Sequence, residues 1–216
     1  MAFRKDDSTP NRQDEREPIR ATPEFEWSDY FEASDSTDKL YPLFENLDPF
    51  LRPGLKALDL GCGVGKGVCR LAERGLEVTA VDILEEALQR VQRRVAGRYE
   101  VHLVKSDLRH LAFPDQMFDV IVATSILYFL SPAELSIFWP KLVSWIKPGG
   151  LFAGQFMGPN DLWVTREDYN FQTVETAKNL FHGFEILYFL DDDRDTTNTL
   201  GKSTHSHQIQ VLARKL

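Results

Sequence analysis

A run of alternating glycines directly after an apolar segment is the feature that most restricts how this chain can fold. Residues 57–60 are Ala-Leu-Asp-Leu, and Gly61, Gly63 and Gly65 follow with one residue between each pair. The apolar segment is typical of a strand buried in a parallel sheet. Alternate glycines let the following turn adopt conformations closed to other residues and approach a ligand closely. The pattern predicts a strand and turn with a nucleotide-like ligand against the turn.

The spacing of these glycines argues against a dinucleotide as that ligand. The dinucleotide fingerprint needs a third glycine in the pattern G-x-G-x-x-G. Counted from Gly61, that position holds Lys66, and counted from Gly63 it holds Val68. A pyrophosphate site, and with it an NAD-dependent oxidoreductase, is therefore disfavoured.

Short β-rich runs alternate with helical runs along the middle of the chain. Such alternation predicts crossover connections and a parallel sheet. Ser131 and Pro132 predict a helix start, and the Pro-Gly-Gly of residues 148–150 predicts its end. The expected strands are 57–60, 77–81, 100–105, 118–123 and 151–156, and further helices are expected at 65–74, 84–95 and near 173–181.

The C-terminal third departs from this alternation. Two apolar runs, 184–190 and 208–213, are separated by a polar segment without a helical pattern. Strands joined without a crossover pair antiparallel, so the last strand is expected to run against the rest of the sheet. The acidic segment 191–195 is expected to be a solvated loop. A calcium site is not expected there, because the glycine and the terminal glutamate of an EF-hand loop are missing.

The N-terminal residues divide into two parts. Residues 1–23 are rich in charged residues and proline and poor in aliphatic residues, so a disordered tail is expected there. Aromatic residues then crowd into 25–31, and apolar residues recur at roughly helical spacing from Leu40 to Phe50. We predict one domain over residues 24–216, in which residues 24–53 form a helical cap.

Charge and cysteine content limit the partners and the compartment. The net charge is −8, whereas proteins that bind nucleic-acid phosphates carry a basic stripe, so nucleic acid is not expected as a partner. Cys62 and Cys69 are too few for a disulfide framework or a metal site, which fits a cytoplasmic protein. No run approaches the length of a membrane span, and no membrane partner is expected. The main basic cluster is interpreted as a solvated helix face: Arg90, Arg93, Arg94 and Arg98.

Two aspartates flank the glycine pattern in a recognisable order. Asp59 opens the glycine run, and Asp82 stands at the end of the next predicted strand. This order resembles the class I S-adenosylmethionine-dependent methyltransferases, and the small size and aromatic cap resemble their bacterial tellurite-resistance and thiol methyltransferase branch. The resemblance implies an α/β Rossmann-like fold with S-adenosylmethionine as cofactor. Its sheet has seven mostly parallel strands in the order 3-2-1-4-5-7-6, the last antiparallel, with helices on both faces.

The resemblance also implies roles for single residues in cofactor binding. The glycines would pass under the methionine part of the cofactor, Asp59 would face its amino-acid end, and Asp82 would accept hydrogen bonds from both ribose hydroxyls. Ile83 would pack on the adenine ring. The remaining implied contacts are the Asp107 carboxylate with the adenine amine, the Leu108 amide with a ring nitrogen, and Thr124 and Ser125 beneath the cofactor where the methyl acceptor enters.

Candidates for the acceptor site are fewer. If the last strand is antiparallel, its start lies at the cofactor edge, which brings His205 and His207 near the active face as base or substrate contacts. A plain polar hairpin loop is the alternative. Their H-x-H spacing lacks a third ligand, so no metal site is expected. Tyr30 and Tyr128, together with Trp27 and Phe129, are candidates for an aromatic lid over the sulfonium, and ordinary core packing is the alternative.

Two hypotheses about function follow. The first is an enzyme that moves a methyl group from S-adenosylmethionine to an oxygen, nitrogen, sulfur or other heteroatom of a small molecule by in-line displacement. The second is a regulatory or partner protein that binds the cofactor without turnover. The Asn/Asp-Pro-Pro-Tyr/Phe signature of amino-methylating DNA enzymes is absent, since residues 123–126 are Ala-Thr-Ser-Ile.

Overall fold

The computed structural model describes residues 27–37, 39–165 and 169–216, so the predicted tail over residues 1–23 lies outside the described residues. The strands form one sheet in the order β3-β2-β1-β4-β5-β7-β6, as predicted. In chain order the strands are β1 (Lys56–Leu60), β2 (Glu77–Asp82), β3 (Val101–Lys105), β4 (Phe118–Ala123), β5 (Ile146–Met157), β6 (Phe184–Thr197) and β7 (Ser203–Lys215).

Helices connect and cover these strands. The α-helices are α1 (Trp27–Asp35), α2 (Leu43–Leu47), α3 (Lys66–Glu73), α4 (Glu85–Val95), α5 (Pro132–Trp145) and α6 (Val174–Leu180). Short 3-10 turns cover Asp48–Phe50, Leu108–His110, Leu127–Phe129 and Leu162–Thr165. Within the described ranges, no helix has both the length and the apolar character that crossing a bilayer requires.

The glycine-bearing strand β1 lies at the centre of the sheet. It pairs in parallel with β2 on one side and with β4 on the other, and residues 57–60 are buried. On the far side of β4, β5 is parallel, and β7 then pairs antiparallel with both β5 and β6. The reversed last strand confirms the expectation drawn from the missing crossover. Its register sets Gln155 of β5 directly opposite Gln210 of β7.

Two apolar layers cover the two faces of the sheet. One layer packs α5 and α6 against β5 and β7 through large aromatic rings, and the indole N–H of Trp139 donates to the carbonyl of Leu180 at 2.9 Å. The other packs α2, α3 and α4 against the opposite face, with Phe44, Val68 and Val91 buried. Because helices lie on both faces, the parallel strands are apolar on both sides, which explains their continuous hydrophobic runs.

The predicted helix start at Ser131 is confirmed by a capping box. The Ser131 hydroxyl accepts from the backbone N–H of Glu134 at 3.3 Å, and the Glu134 carboxylate accepts from the backbone N–H of Ser131 at 2.8 Å. The helix ends at Trp145, and β5 begins at Ile146 rather than at residue 151, because Ile146 already pairs with Phe118 of β4.

The expectation of a polar loop between the last two strands is wrong. The pairing of β6 with β7 continues from Phe184 with Lys215 to Thr197 with Ser203, so residues 191–197 and 203–207 form the far part of a long hairpin. Cross-strand contacts explain why these polar residues form strands. Carboxylates of β6 hydrogen-bond to histidines of β7, so the pairing does not depend on an alternation of apolar and polar residues. The acidic segment is therefore strand, although Asp191, Asp193 and Asp195 are exposed as expected.

Candidate active site

The glycine turn after β1 opens toward one side only. All three glycines have positive φ, at +66° for Gly61, +49° for Gly63 and +83° for Gly65. A Cβ atom on Gly61 would lie 2.7 Å from Ile126, and one on Gly65 would lie 2.9 Å from Val91. A Cβ on Gly63 would meet only a ring carbon of Phe31, at 4.0 Å. Chain packing thus requires the outer two glycines, while Gly63 faces the space that a ligand can approach.

The carboxylate of Asp82 is fixed beside that opening. Its oxygens accept hydrogen bonds from the backbone N–H of Gly63 and of Leu84, each at 3.0 Å. Burial raises the pKa of Asp82, and the two N–H donors act in the opposite direction. Each oxygen keeps a lone pair for another donor, so the side chain remains able to accept from a pair of ligand hydroxyls.

A second acidic group, Asp59, lies beneath the turn. It is only 3% exposed, and burial together with the negative charge of Asp82 raises its pKa to about 7. A Cβ atom on Gly67 would lie 2.9 Å from its Oδ2 atom, so Gly67 leaves the space that this carboxyl fills. A buried carboxyl with a raised pKa is stabilised in its ionised form by a ligand cation, such as an ammonium group.

Asp107, in the loop after β3, stabilises the local backbone structure. Its carboxylate caps the 3-10 turn of residues 108–110 by accepting from the backbone N–H of Arg109 at 2.9 Å, and it pairs with the Arg109 guanidinium. This pairing holds the pKa of Asp107 below its usual range. Leu108 is buried next to it, while Ile83, after β2, is 54% exposed. The Ile83 side chain is thus open to an aromatic ligand ring.

Beyond β4, a cluster of hydroxyl and amide groups surrounds Ser125. Ser125 has a positive φ of 55°, which is uncommon for a residue with a side chain. Its hydroxyl lies 2.5 Å from the phenolic oxygen of Tyr41 and accepts from the Nε2 of Gln155 at 2.8 Å. Burial raises the pKa of Tyr41, and burial with the neighbouring phenols raises that of Tyr128. These phenols therefore stay protonated at neutral pH.

Aromatic rings form a wall next to this cluster, and they include the residues predicted for a lid. The ring centroids of Trp27 and Tyr30 lie 5.7 Å apart, those of Trp27 and Phe129 lie 6.0 Å apart, and those of Tyr128 and Phe129 lie 4.7 Å apart. The structure thus joins the helix α1 to the turn after β4. Trp163 and Tyr169 extend the wall.

The two candidate histidines contact carboxylates of their own hairpin, and His207 also contacts the loop after β5. The Nε2 of His207 lies 2.7 Å from Asp191, and its Nδ1 accepts from the backbone N–H of Asn160 at 3.1 Å. The ring nitrogens of His205 lie 2.9 Å and 2.7 Å from the carboxylates of Asp195 and Asp193. A base role for either histidine would require breaking these contacts. The part of the chain that the structure describes holds no side-chain group suited to a metal ion.

The interpretation of the arginine cluster as a solvated face is wrong for two of its members. Arg90 pairs with Asp35 at 2.6 Å and with Glu86 at 2.7 Å. Arg94 also pairs with Asp35, and its Nε donates to the carbonyl of Val64 in the glycine turn at 2.9 Å. Asp35, the last residue of α1, lies between these two arginines of α4, and its ion pairs with them hold α1 against α4. Arg93 and Arg98 are exposed as predicted.

Sequence reasoning missed Tyr41 and the two facing glutamines. Gln155 carries the one available signal, since it interrupts the apolar run of residues 151–157. Gln155 is fully buried, so this polar residue lies inside the protein and not at its surface. Cys62 and Cys69 are buried free thiols, and burial raises the pKa of both.

The methyltransferase-domain family matches residues 57–150, the segment that holds the glycine turn, Asp82 and Asp107. An S-adenosylmethionine-dependent methyltransferase from Methanosarcina mazei has the same fold, with a TM-score of 0.66 at 23% identity over 82% of this chain and 99% of that chain. Residues 57–150 form a methyltransferase domain. The cofactor of this methyltransferase family is S-adenosylmethionine, and the buried acid Asp59, the anchored acid Asp82 and the opening at Gly63 fit it.

Other relatives agree with this assignment of the methyltransferase domain. TehB from Haemophilus influenzae superposes with a TM-score of 0.74 at 20% identity, over 88% of this chain and 67% of that chain, which shows a shared fold. Phosphoethanolamine N-methyltransferase 1 of Zea mays is 32% identical over 155 residues, or 67% of this chain and 30% of that protein. The chain spans less than half the length of the curated relatives it matches.

Proposed function

We propose that this protein transfers a methyl group from S-adenosylmethionine to a small-molecule acceptor. The observation that carries the proposal is the open side of the glycine turn at Gly63, with the fixed carboxylate of Asp82 next to it and the raised-pKa carboxyl of Asp59 below. The relatives that are named as methyltransferases support the reaction class.

Each residue around the glycine turn binds a different part of the cofactor. Asp82 accepts hydrogen bonds from the ribose hydroxyls, and its existing bonds to Gly63 and Leu84 hold it in place for this. Asp59 faces the ammonium of the amino-acid end. Further contacts belong to the glycines Gly61, Gly63 and Gly65 under the methionine, Ile83 on the adenine face, Asp107 and Leu108 at the adenine edge, and Thr124 below the sulfur.

The chain itself contributes alignment and exclusion of water. When bound, the cofactor supplies an activated methyl group on a sulfonium, so the displacement needs no nucleophile from the protein. Holding acceptor and methyl carbon in line can lower the barrier by about 7 to 11 kcal/mol. The aromatic wall of Trp27, Tyr30, Tyr128 and Phe129 keeps water away from the reacting atoms.

The acceptor side of the site suits a small molecule. Helix α1 packs over the glycine turn through Phe31, Val64 and Ala87, and this cover favours a small acceptor over a large one. The net charge of −8 disfavours a nucleic-acid acceptor. The buried free thiols of Cys62 and Cys69 fit a reducing environment, and we place the protein in the cytoplasm on this ground.

Binding and turnover are measured separately. Calorimetry with S-adenosylmethionine on the wild type and on Asp82→Ala should show a loss of about 1.5 to 3 kcal/mol of binding free energy, the range for hydrogen bonds to a charged group. The control is Asp115→Ala, an exposed aspartate before β4, which should bind as the wild type does. An Asp82→Ala variant that folds and binds equally well would contradict the ribose role.

Release of S-adenosylhomocysteine across a panel of small acceptors then decides between the two hypotheses. Turnover of any acceptor supports the enzyme. Tight binding without turnover across the whole panel supports a cofactor-binding regulatory or partner protein. An absence of binding by the wild type removes both.

A further inference from the structure

Two buried glutamines face each other across neighbouring strands. Gln155 of β5 is 0% exposed and Gln210 of β7 is 4% exposed, and the two residues are directly paired in the antiparallel register. Paired residues of an antiparallel ladder point to the same side of the sheet. Among the described residues, neither Oε1 atom has a hydrogen-bond partner. Buried polar atoms are normally satisfied, so two adjacent acceptors without donors call for a ligand that brings donors.

The position of this pair ties it to the methyl-transfer edge of the sheet. The Nε2 of Gln155 donates to Ser125, which follows β4, and β4 is the neighbour of the glycine-bearing β1. Side chains alternate along a strand, so Gln155 and Gln210 lie on the face that Leu151, Ala153 and Leu212 share with α2 and α3. The pair therefore lies on the side covered by the N-terminal helices, next to the Tyr41 phenol.

The two phenols of this cluster do not supply a general base. The phenols of Tyr41 and Tyr128 stay protonated because burial disfavours their anions. They can donate hydrogen bonds but cannot remove a proton from an acceptor near neutral pH. A hydroxyl acceptor would need such a base, and its single O–H would satisfy only one of the two glutamine oxygens.

We propose that the methyl acceptor is a primary amine whose two N–H groups donate to the Oε1 atoms of Gln155 and Gln210. This inference rests on the proposed function. With both N–H bonds held, the nitrogen lone pair points away from the glutamine oxygens, and the proposal requires the methyl group of the cofactor on that side. The amine binds as its free base after releasing a proton to water.

The transfer of the methyl group to the amine then balances without a general base. The nitrogen lone pair forms the new C–N bond as the C–S bond breaks, and the bonding pair of the latter returns to sulfur. The products are a secondary ammonium ion and S-adenosylhomocysteine. The nitrogen becomes positive during the step, so the hydrogen bonds to the two carbonyl oxygens strengthen in the transition state.

The first test compares matched acceptors. Purified full-length protein with S-adenosylmethionine is offered 2-phenylethylamine, its alcohol 2-phenylethanol, its thiol 2-phenylethanethiol and the small amines ethanolamine and butylamine. We expect S-adenosylhomocysteine release with amines only, and a kcat/KM that rises with pH up to 9 because the free base is the reactive form. Turnover of the alcohol or thiol but of no amine would overturn the amine assignment.

The second test removes the acceptor oxygens. Gln155→Leu and Gln210→Leu should each lower kcat/KM for amines by about 10- to 100-fold, the range for a hydrogen bond to a group that becomes charged. Gln155→Glu keeps an oxygen acceptor and should retain most of the activity. The matched control is Gln89→Leu on the exposed side of α4. The affinity for S-adenosylmethionine should be unchanged in all four variants.

The outcomes separate this inference from the function on which it rests. If the wild type binds no S-adenosylmethionine, the proposed function itself fails. If it binds the cofactor but methylates no amine, the amine assignment alone is overturned. If the leucine variants lose thermal stability while kcat/KM for amines stays at the wild-type value, the glutamine oxygens bind ordered water and the inference is also overturned.

Discussion

At the scale of single residues, the proposed site depends on two carboxyl groups and one open glycine. Burial raises the pKa of both Asp59 and Asp82, and the negative charge of Asp82 raises the pKa of Asp59 further. The protein keeps this unfavourable pair beneath the turn, where a ligand cation and ligand hydroxyls would compensate for it. Such buried acids with shifted pKa values are typical of functional sites.

Asp59 predicts a pH dependence of stability. Its pKa rises from 3.8 in the unfolded chain to about 7 in the folded one, so the folded state binds more protons between these values. The free energy of unfolding of the cofactor-free protein should therefore fall as the pH rises from about 4 to about 7. Urea unfolding across this range should show a shallower fall for Asp59→Asn than for the wild type. An Asp115→Asn control should follow the wild type, and identical slopes for all three would contradict the prediction.

A substitution at Gly63 should weaken cofactor binding beyond what its effect on stability explains. Alanine there meets no clash, but its positive φ costs about 1 to 2 kcal/mol of stability. Gly149→Ala is a matched control, since Gly149 has a φ of +76° with nothing within 4 Å of an added Cβ. Both variants should lose similar stability in thermal unfolding, while calorimetry should show weaker cofactor binding for Gly63→Ala only. Equal affinity in the two variants would remove the argument for close approach.

At the scale of elements, helix α1 acts as a cover fastened at its end. Phe31 packs on the glycine turn, and Asp35 pairs with Arg90 and Arg94 of α4. The same Arg94 donates to the Val64 carbonyl, so the fastening and the turn share one side chain. Movement of α1 is thus coupled to the position of the turn.

Asp35 therefore predicts an effect on ligand exchange. In Asp35→Asn, α1 loses its ion pairs, so hydrogen exchange in residues 27–35 should speed up and the dissociation rate of S-adenosylmethionine should increase several-fold. Glu85→Gln serves as the control, because the Glu85 pair with Lys105 is exposed on both sides and contributes little. Unchanged exchange and dissociation in Asp35→Asn would show that the cover is held by its aromatic contacts alone.

The elements also show what the sequence can and cannot predict. Periodicity placed the strands from β1 to β4 within about two residues, because buried parallel strands have continuous apolar runs. The far part of the β6–β7 hairpin was missed, since it is held by pairs such as His207 with Asp191 and not by apolar alternation. The cluster around Ser125 was beyond prediction, because Tyr41 and Gln155 lie far from it in sequence and meet only through the fold.

At the scale of the whole molecule, the sheet divides the proposed site into two halves. The turn after β1 and the ends of β2 and β3 lie on the side that we assign to the cofactor, and the ends of β4 and β5, with the first half of the antiparallel β7, lie on the side that we assign to the acceptor. The reversed strand β7 gives the acceptor half its own residues, because its register brings Gln210 opposite Gln155. A parallel strand in that position would have a different hydrogen-bond pairing with β5.

The long hairpin has a consequence for how copies of the molecule behave toward one another. Strand β6 is the last strand in the order of the sheet, so the backbone groups on its outer side have no neighbouring strand among the residues that the structure describes. Such a long border invites the addition of foreign strands, and natural proteins discourage this with charge. The carboxylates from Asp191 to Asp195 lie along that border. We expect the negative charge that remains after their pairing with His205 and His207 to repel an identical strand and to disfavour aggregation through this edge.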